Sequence, residues 1–492
     1  MNNDRLFIGI DVGTSSIKTV LINGKKEVLA QKQADYEISQ PYIGWREIDP
    51  EIWYSLVVKL LKELLSDYSR ENVDAIGITG QMHTVVFLDK NGKSIRPAIL
   101  WDDIRTKEVV LEMREQIEGI KSLSYISKTL STGSPAVNLY WLKKEEKDNF
   151  EKIYKFLIAP DYLVYKFTNN YNIDYCGAST SCLYDIKQKK WSEEIKKLLS
   201  LKDYNYPEIR AAGKSAGNIT KELAEELNLR PDVIVATGTG DNPATAVSSG
   251  CLGQGHPVIS LGTSGILISE RKTINKNAKG KVILFSFDNI NFTYLVQGAI
   301  QSNGSAYDWF QKDILKLNYK YADQKTSEAS FHKNLIFYPH LNGEKTIYSD
   351  PDIKGAFLGL STNIKKEDMM LALIEGLCFG YRELADKMLV DFNKSQRLRV
   401  VGGGAKSHVW LQTLSNILNT PLDQMKGTVS SAVGVALIAL YCSGHETVES
   451  LSEGIVKVNK TFFPDKTMVE QYNKKYQIYK KVYKALKNVY QN

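Results

Sequence analysis

The first hundred residues carry short apolar runs divided by polar turns. LFIGID, IKTVLI and the stretch beginning EVLAQKQ read as successive strands, and Asn23-Gly24, which separates the second from the third, is a hairpin signal because both residues tolerate positive φ. An antiparallel meander is the expectation. The period then changes. Asp49-Pro50-Glu51 supplies a cap and a proline at the first helical position, and the apolar residues of IWYSLVVKLLKELL recur at helical spacing. VDAIGITG follows as a buried strand. Near residue 256 the pattern begins again: PVISLGTSGILISE reads as strand, turn, strand, with a further strand over residues 293–297. A second lobe built like the first is the economical reading, with a seam near residues 250–255, which gives lobes 1–250 and 251–492. Helical patterns at 366–389, 409–418 and 433–441 alternate with short strands such as LRVVGG. In the last segment Tyr472, Tyr476, Tyr479, Tyr483 and Tyr490 share roughly one helical face, which reads as packing.

Composition narrows the class. At 492 residues, 43% hydrophobic and 24% charged, the chain is long enough for two or three globular domains. The net charge of +7, from 63 basic and 56 acidic residues, is spread in small groups such as Lys143-Lys144 and Lys189-Lys190. A nucleic-acid binder concentrates its charge on one face or arm, so no nucleic-acid partner is expected. The five cysteines are odd in number and form no CxxC pair, which argues against a disulfide framework or a zinc cluster and suits a reducing cytoplasm. No basic n-region precedes a long apolar run, and no stretch of about 18 apolar residues occurs, so neither export nor membrane insertion is expected.

The chemistry-bearing features are glycine turns. The sequence contains no GxxxxGK[ST] loop and no GxGxxG followed by an acid, so phosphate binding requires another geometry. Gly13-Thr14-Ser15 lies after strand one, and Gly262-Thr263-Ser264 lies at the corresponding turn of the second lobe. Both place backbone N–H groups and hydroxyls at a tight strand-to-strand turn able to donate to phosphate oxygens. Gly402-Gly403-Gly404-Ala405, between a strand and a helix, leaves room for a base or ribose against the backbone. Singly each is more often a plain turn; in equivalent places of two lobes they weigh more. Asp241 follows VIVATGTG in a glycine-flanked loop, where a carboxylate can face a cleft or cap the next helix. Asp11 alone can be read as a turn-stabilising carboxylate. His83 alone reads as a buried, satisfied histidine. Trp101, Asp103 and Arg105 read either as pocket residues or as a core tryptophan beside an ion pair.

The strings GIDVGTSSIK, GITGQMHT, RPAILWDDIR, APDYL, GTGDNPATAV, SLGTSG, GAFLGL, IEGLCFG and VVGGGAKS, in this order, resemble the FGGY carbohydrate kinases over about residues 5–445. The resemblance implies an α/β, two-lobed ribonuclease-H-like fold of the actin-type ATPases, with ATP and a small sugar bound in a cleft between the lobes. It implies Asp241 as general base, with Asn242 beside it, and Asp11 as the residue that holds Mg2+ or its waters. Met82 and His83 would touch the sugar, with Trp101, Asp103 and Arg105 in support. Gly13, Thr14, Ser15, Gly262, Thr263 and Ser264 would cradle phosphates, and Gly403, Gly404 and Ala405 would face adenosine. The implied substrate is a ketopentose, D-xylulose first, with other sugars or polyols as alternatives, and a homodimer is the implied assembly. A non-catalytic ATP-driven protein of the actin or chaperone type is the rival from another class; it needs neither Asp241 nor His83. Thr84, Ile104 and Pro243 depart from the family pattern, which has Gly, Gly and Ala there, and each adds bulk or stiffness beside the expected pocket.

Overall fold

In the computed structural model, residues 4–275, 277–390, 397–427, 429–453, 455 and 457–490 are described. The chain divides into two compact units. The first comprises residues 1–254 together with 283–294 and 428–455; the second comprises 255–282, 295–427 and 456–492. One boundary follows Gln254, and the division is not a single cut, because two later segments return to the first unit.

The first unit is built on a mixed sheet with strand order 215–218, 234–236, 73–80, 6–12, 16–23 and 28–35. Leu6–Val12, Ser16–Asn23 and Val28–Asp35 form the expected antiparallel meander, and Val73–Gly80 lies parallel to the first strand. Both central strands are almost fully buried, which suits their near-continuous apolar runs. The helix Pro50–Leu64, capped by the Asp49 carboxylate on the Glu51 N–H at 3.0 Å, covers one face with Trp53, Val57 and Leu61. The helix Ser431–Cys442 covers the other. It approaches so closely that a Cβ at Gly9 would lie 2.0 Å from the Ala432 carbonyl oxygen, and one at Gly77 2.2 Å from that of Val435. Only glycine fits there.

The second unit repeats the plan. Its strands 265–271, 258–261, 398–401, 422–426 and 457–462 are neighbours in that order. Val258–Leu261 pairs antiparallel with Gly265–Arg271 and parallel with Leu398–Val401, as the first strand of the other unit does with its hairpin partner and with Val73–Gly80. The expected helices are present as Lys366–Met388 and His408–Leu418. Lys466–Tyr490 is the last helix, and its Tyr472, Tyr476 and Tyr479 are buried in the core, as the stripe suggested. None of the five cysteines forms a disulfide. Among the described residues no helix is long and apolar enough to cross a membrane.

Candidate active site

In the first unit, three strand ends meet. Thr239–Gly240 lies parallel to Thr79–Gly80, which lies beside Asp11–Val12. The residues that follow therefore converge: Gln81-Met82-His83 after one strand and Asp241-Asn242 after another. A Cβ on Gly240 would come 2.6 Å from Met82 Cγ, and the Asn242 amide nitrogen lies 3.5 Å from Met82 Sδ. Asp241 opens the helix Asp241–Ser248, with Gly240 as its cap, and its Oδ1 accepts from the Asn242 N–H at 2.8 Å. A carboxylate in the first helical turn is favoured by the helix dipole. His83 has φ +69°, an uncommon left-handed conformation for a histidine and one that concentrates at functional sites.

Asp11 sits at the same strand ends. Its Oδ2 accepts from the Ser431 hydroxyl at 2.5 Å, whereas Oδ1 is buried with no hydrogen-bond partner. Burial raises its carboxyl above the usual range, against the pull of Ser431 and Lys18. A cation beside Oδ1 would satisfy that oxygen and reverse the shift. Among the described residues no three acids, histidines or cysteines converge. The donor set thus suits Mg2+, a hard ion that takes one or two carboxylates and completes its shell with phosphate and water.

The Gly13-Thr14-Ser15 turn is tied to its surroundings through two side chains. The Tyr36 hydroxyl donates to the Gly13 carbonyl, and the Trp101 indole N–H donates to the Thr14 hydroxyl at 2.9 Å. Trp101 is 46% exposed, so its ring remains available to a ligand. Thr84 is fully buried. Its hydroxyl donates to Gln81 Oε1 at 2.9 Å and accepts from the Trp101 N–H at 3.1 Å. It joins the Gln81 side chain to the Trp101 backbone. Pro243 is buried in the first turn of its helix, where a missing N–H leaves no bond unmade. Ile104 is 53% exposed and packs over Gly44.

Asp103 and Arg105, grouped above with the substrate contacts, are committed to each other. Arg105 grips Asp103 through Nε and Nη2 at 2.9 and 2.7 Å, and Asp103 also accepts the Arg46 N–H at 2.6 Å. The guanidinium, 1% exposed, pairs with Glu47 at 2.7 Å and stacks over Trp45. The geometry makes them a buried clamp under the Trp101 loop.

In the second unit, Gly262-Thr263-Ser264 joins two antiparallel strands, with Thr263 and Ser264 exposed. The Gly304 N–H donates to the Gly262 carbonyl at 2.9 Å and the Ser305 N–H to that of Thr263 at 3.1 Å. A cavity of about 690 Å³ opens between this turn and Gly403-Gly404. Gly402, at φ +96°, presses against Leu261, while a Cβ on Gly403 would meet nothing within 4 Å. Ala405 is 5% exposed and belongs to the core; its carbonyl accepts from Gln424 at 2.6 Å. Of the turn expected to face adenosine, the two glycines line the cavity and Ala405 is turned inward.

Several residues of these sites escaped sequence reading. Ser431 carried one faint signal, the Ser-Ser pair capping an apolar helix. Tyr307 and Trp410, stacked 5.2 Å apart at one cavity wall, and Asp323, which accepts from the Ser407 hydroxyl, carried none because they are separated in sequence.

A family model described as the FGGY family of carbohydrate kinases, N-terminal domain, matches residues 6–248, and its C-terminal counterpart matches 258–443. The chain is similar to a protein named xylulose kinase from Staphylococcus xylosus, 32% identical over 97% of this chain and 99% of that protein. It is similar to a solved structure titled a xyloylose kinase from Brucella ovis, with TM-score 0.89, 28% identity and coverage of 99% and 100%. A structure titled gluconate kinase from Lactobacillus acidophilus reaches TM-score 0.88 at 23% identity, covering 99% of each chain, a likeness of fold alone.

Proposed function

The chain belongs to the FGGY family of carbohydrate kinases, and we propose that it transfers the γ-phosphate of ATP to a terminal hydroxyl of a ketopentose, D-xylulose before others. The observation that carries this reading is the convergence of Asp241-Asn242 with Met82 at the ends of two paired strands. A sugar against this cluster has a carboxylate to accept its hydroxyl proton, an imidazole at His83 to read a second hydroxyl, and the thioether of Met82 as a compliant apolar wall. Relatives named xylulose kinase support the choice of sugar.

Phosphoryl transfer needs positioning and charge neutralisation more than covalent help. Asp241 takes the proton as the alcohol oxygen attacks the γ-phosphorus in line and the bridging P–O bond to the β-phosphate breaks, so that ADP leaves and D-xylulose becomes its 5-phosphate. Thr14 and Ser15 offer donors to phosphate oxygens; within the second unit, Thr263 and Ser264 offer donors of the same kind. Gly403 and Gly404 admit the nucleoside. Asp11 would hold Mg2+ or its waters through its unpartnered Oδ1, and the ion would supply positive charge against the phosphate oxygens. Cysteines without disulfides and a soluble sugar substrate suit a cytoplasmic enzyme.

The test is ADP release over D-xylulose, D-ribulose, gluconate and glycerol, with Asp241→Asn in parallel. The highest kcat/KM is expected for D-xylulose, and the variant is expected to lose about 10²–10⁴-fold in kcat while still binding ATP. Gluconate or glycerol at the top of the panel overturns the sugar; near-wild-type turnover in the variant overturns the base.

A further inference from the structure

The residues that present Asp241 have little backbone support of their own. Gly238, at φ +75°, turns the chain away from Ile234–Ala236, and a Cβ there would lie 2.0 Å from the Ile78 carbonyl oxygen. Beyond that kink only Thr239 and Gly240 pair with the neighbouring strand. The lateral tie comes from a residue far away in sequence. The Thr239 hydroxyl donates to Asp174 Oδ2 at 2.6 Å, and both residues are buried, at 1% and 2% exposure. Asp174 Oδ1 accepts from the Gly177 N–H at 2.7 Å, which caps the helix Tyr175–Thr180. The same helix backs Gly240, where an added Cβ would lie 3.0 Å from Cys176 Sγ.

A second buried carboxylate, Asp161, faces Asp174. Burial, and then the Asp174 charge, push the Asp161 carboxyl well above its usual range; burial moves Asp174 up to about 6. Two such groups in a dry place do not both ionise. Asp161 has one long hydrogen bond, from the Ile158 N–H at 3.3 Å, whereas Asp174 has two short ones. Asp174 is therefore the partner that keeps its charge, and a charged acceptor makes the stronger bond to Thr239.

We propose that Asp174 is a positioning residue for phosphoryl transfer: through the Thr239 hydroxyl it fixes the strand end from which the Asp241 carboxylate projects. This rests on the reading of Asp241 as the base. A residue that only capped its helix would affect stability and leave the turnover of folded enzyme unchanged. Misplacing a general base acts on kcat and spares ATP binding.

The experiment compares Thr239→Val, Thr239→Ser, Asp174→Asn and the double variant Thr239→Val/Asp174→Asn in the intact chain, measuring kcat, both KM values and Tm. Thr239→Val is expected to lower kcat about tenfold with the KM for ATP within twofold, and Thr239→Ser to restore most of the loss. The double variant is expected to be no slower than Asp174→Asn alone, because both remove one hydrogen bond. Wild-type kcat in Thr239→Val, or losses that multiply in the double variant, overturn the proposal. Should Asp174→Asn fail to fold, the Val and Ser pair at position 239 decides by itself. An inactive Asp241→Asn beside a fully active Thr239→Val sinks this proposal alone, whereas an active Asp241→Asn removes the base and this proposal with it.

Discussion

The indole N–H of Trp101 donates to the hydroxyl of Thr14 at 2.9 Å. Because the Thr14 oxygen accepts there, its own hydrogen is free for a phosphate oxygen. Trp101→Phe keeps an aromatic face and removes the donor. The loss of one hydrogen bond of about 0.5–1.5 kcal/mol predicts a fall in kcat of roughly two- to tenfold, with the KM for sugar changed less than kcat. Steady-state kinetics with the sugar and ATP varied separately checks it.

A methyl group at Gly403 would meet nothing of the protein within 4 Å. Gly403→Ala is therefore expected to leave stability within about 0.5 kcal/mol of wild type and to raise the KM for ATP several-fold, with the sugar KM unmoved. Thermal melts alongside ATP titrations separate these effects. An unchanged ATP KM would remove this turn from the nucleotide site.

Lys475 on the last helix is 1% exposed; its ammonium pairs with Glu375, itself 2% exposed, and donates to the His332 carbonyl at 2.8 Å. Removing one member of a buried pair strands the other charge. Lys475→Met is expected to destabilise the enzyme by about 3–5 kcal/mol, and adding Glu375→Gln to recover much of that. Urea denaturation midpoints of the single and double variants give the answer.

Glu383 is buried against the Tyr348 hydroxyl, and burial raises its carboxyl from 4.5 to about 7, with Glu344 and Asp386 adding to the rise and Lys387 opposing it. The folded-state value is above the unfolded one, so folding takes up a proton between them. The stability this group contributes is complete below about pH 4.5 and drains away as pH climbs through 7, by about 3 kcal/mol at most. His340, lowered by burial to about 4, tilts the opposite way: its contribution is present above pH 6.5 and lost as pH falls. Glu383→Gln is thus expected to flatten the decline in Tm between about pH 5 and 7. A variant with the wild-type slope would place the titration elsewhere.

Much of the fold was legible because periodicity and turn chemistry are local. The meander around Asn23-Gly24, the helix begun by Asp49-Pro50 and the second strand–turn–strand at Gly262 all stand where the pattern put them. The site was legible as far as its residues cluster in sequence, in Gly13-Thr14, Gln81-Met82-His83 and Asp241-Asn242. Asp103 and Arg105 left two readings open, because an acid and a base two residues apart can as readily neutralise each other as face a ligand. Ser431 and Asp174 were invisible for the opposite reason. Each is joined to its partner by folding alone, Ser431 to Asp11 and Asp174 to Thr239.

The glycine seam under the helix Ser431–Cys442 bears on the order of assembly. Gly9 and Gly77 leave a trough in the central sheet that only this helix fills, and it is the last large piece of the first unit to be synthesised. Before it emerges from the ribosome, the apolar faces of Leu6–Val12 and Val73–Gly80 lack one cover. The first lobe therefore cannot mature as a separate amino-terminal domain, and must wait until most of the other has been made.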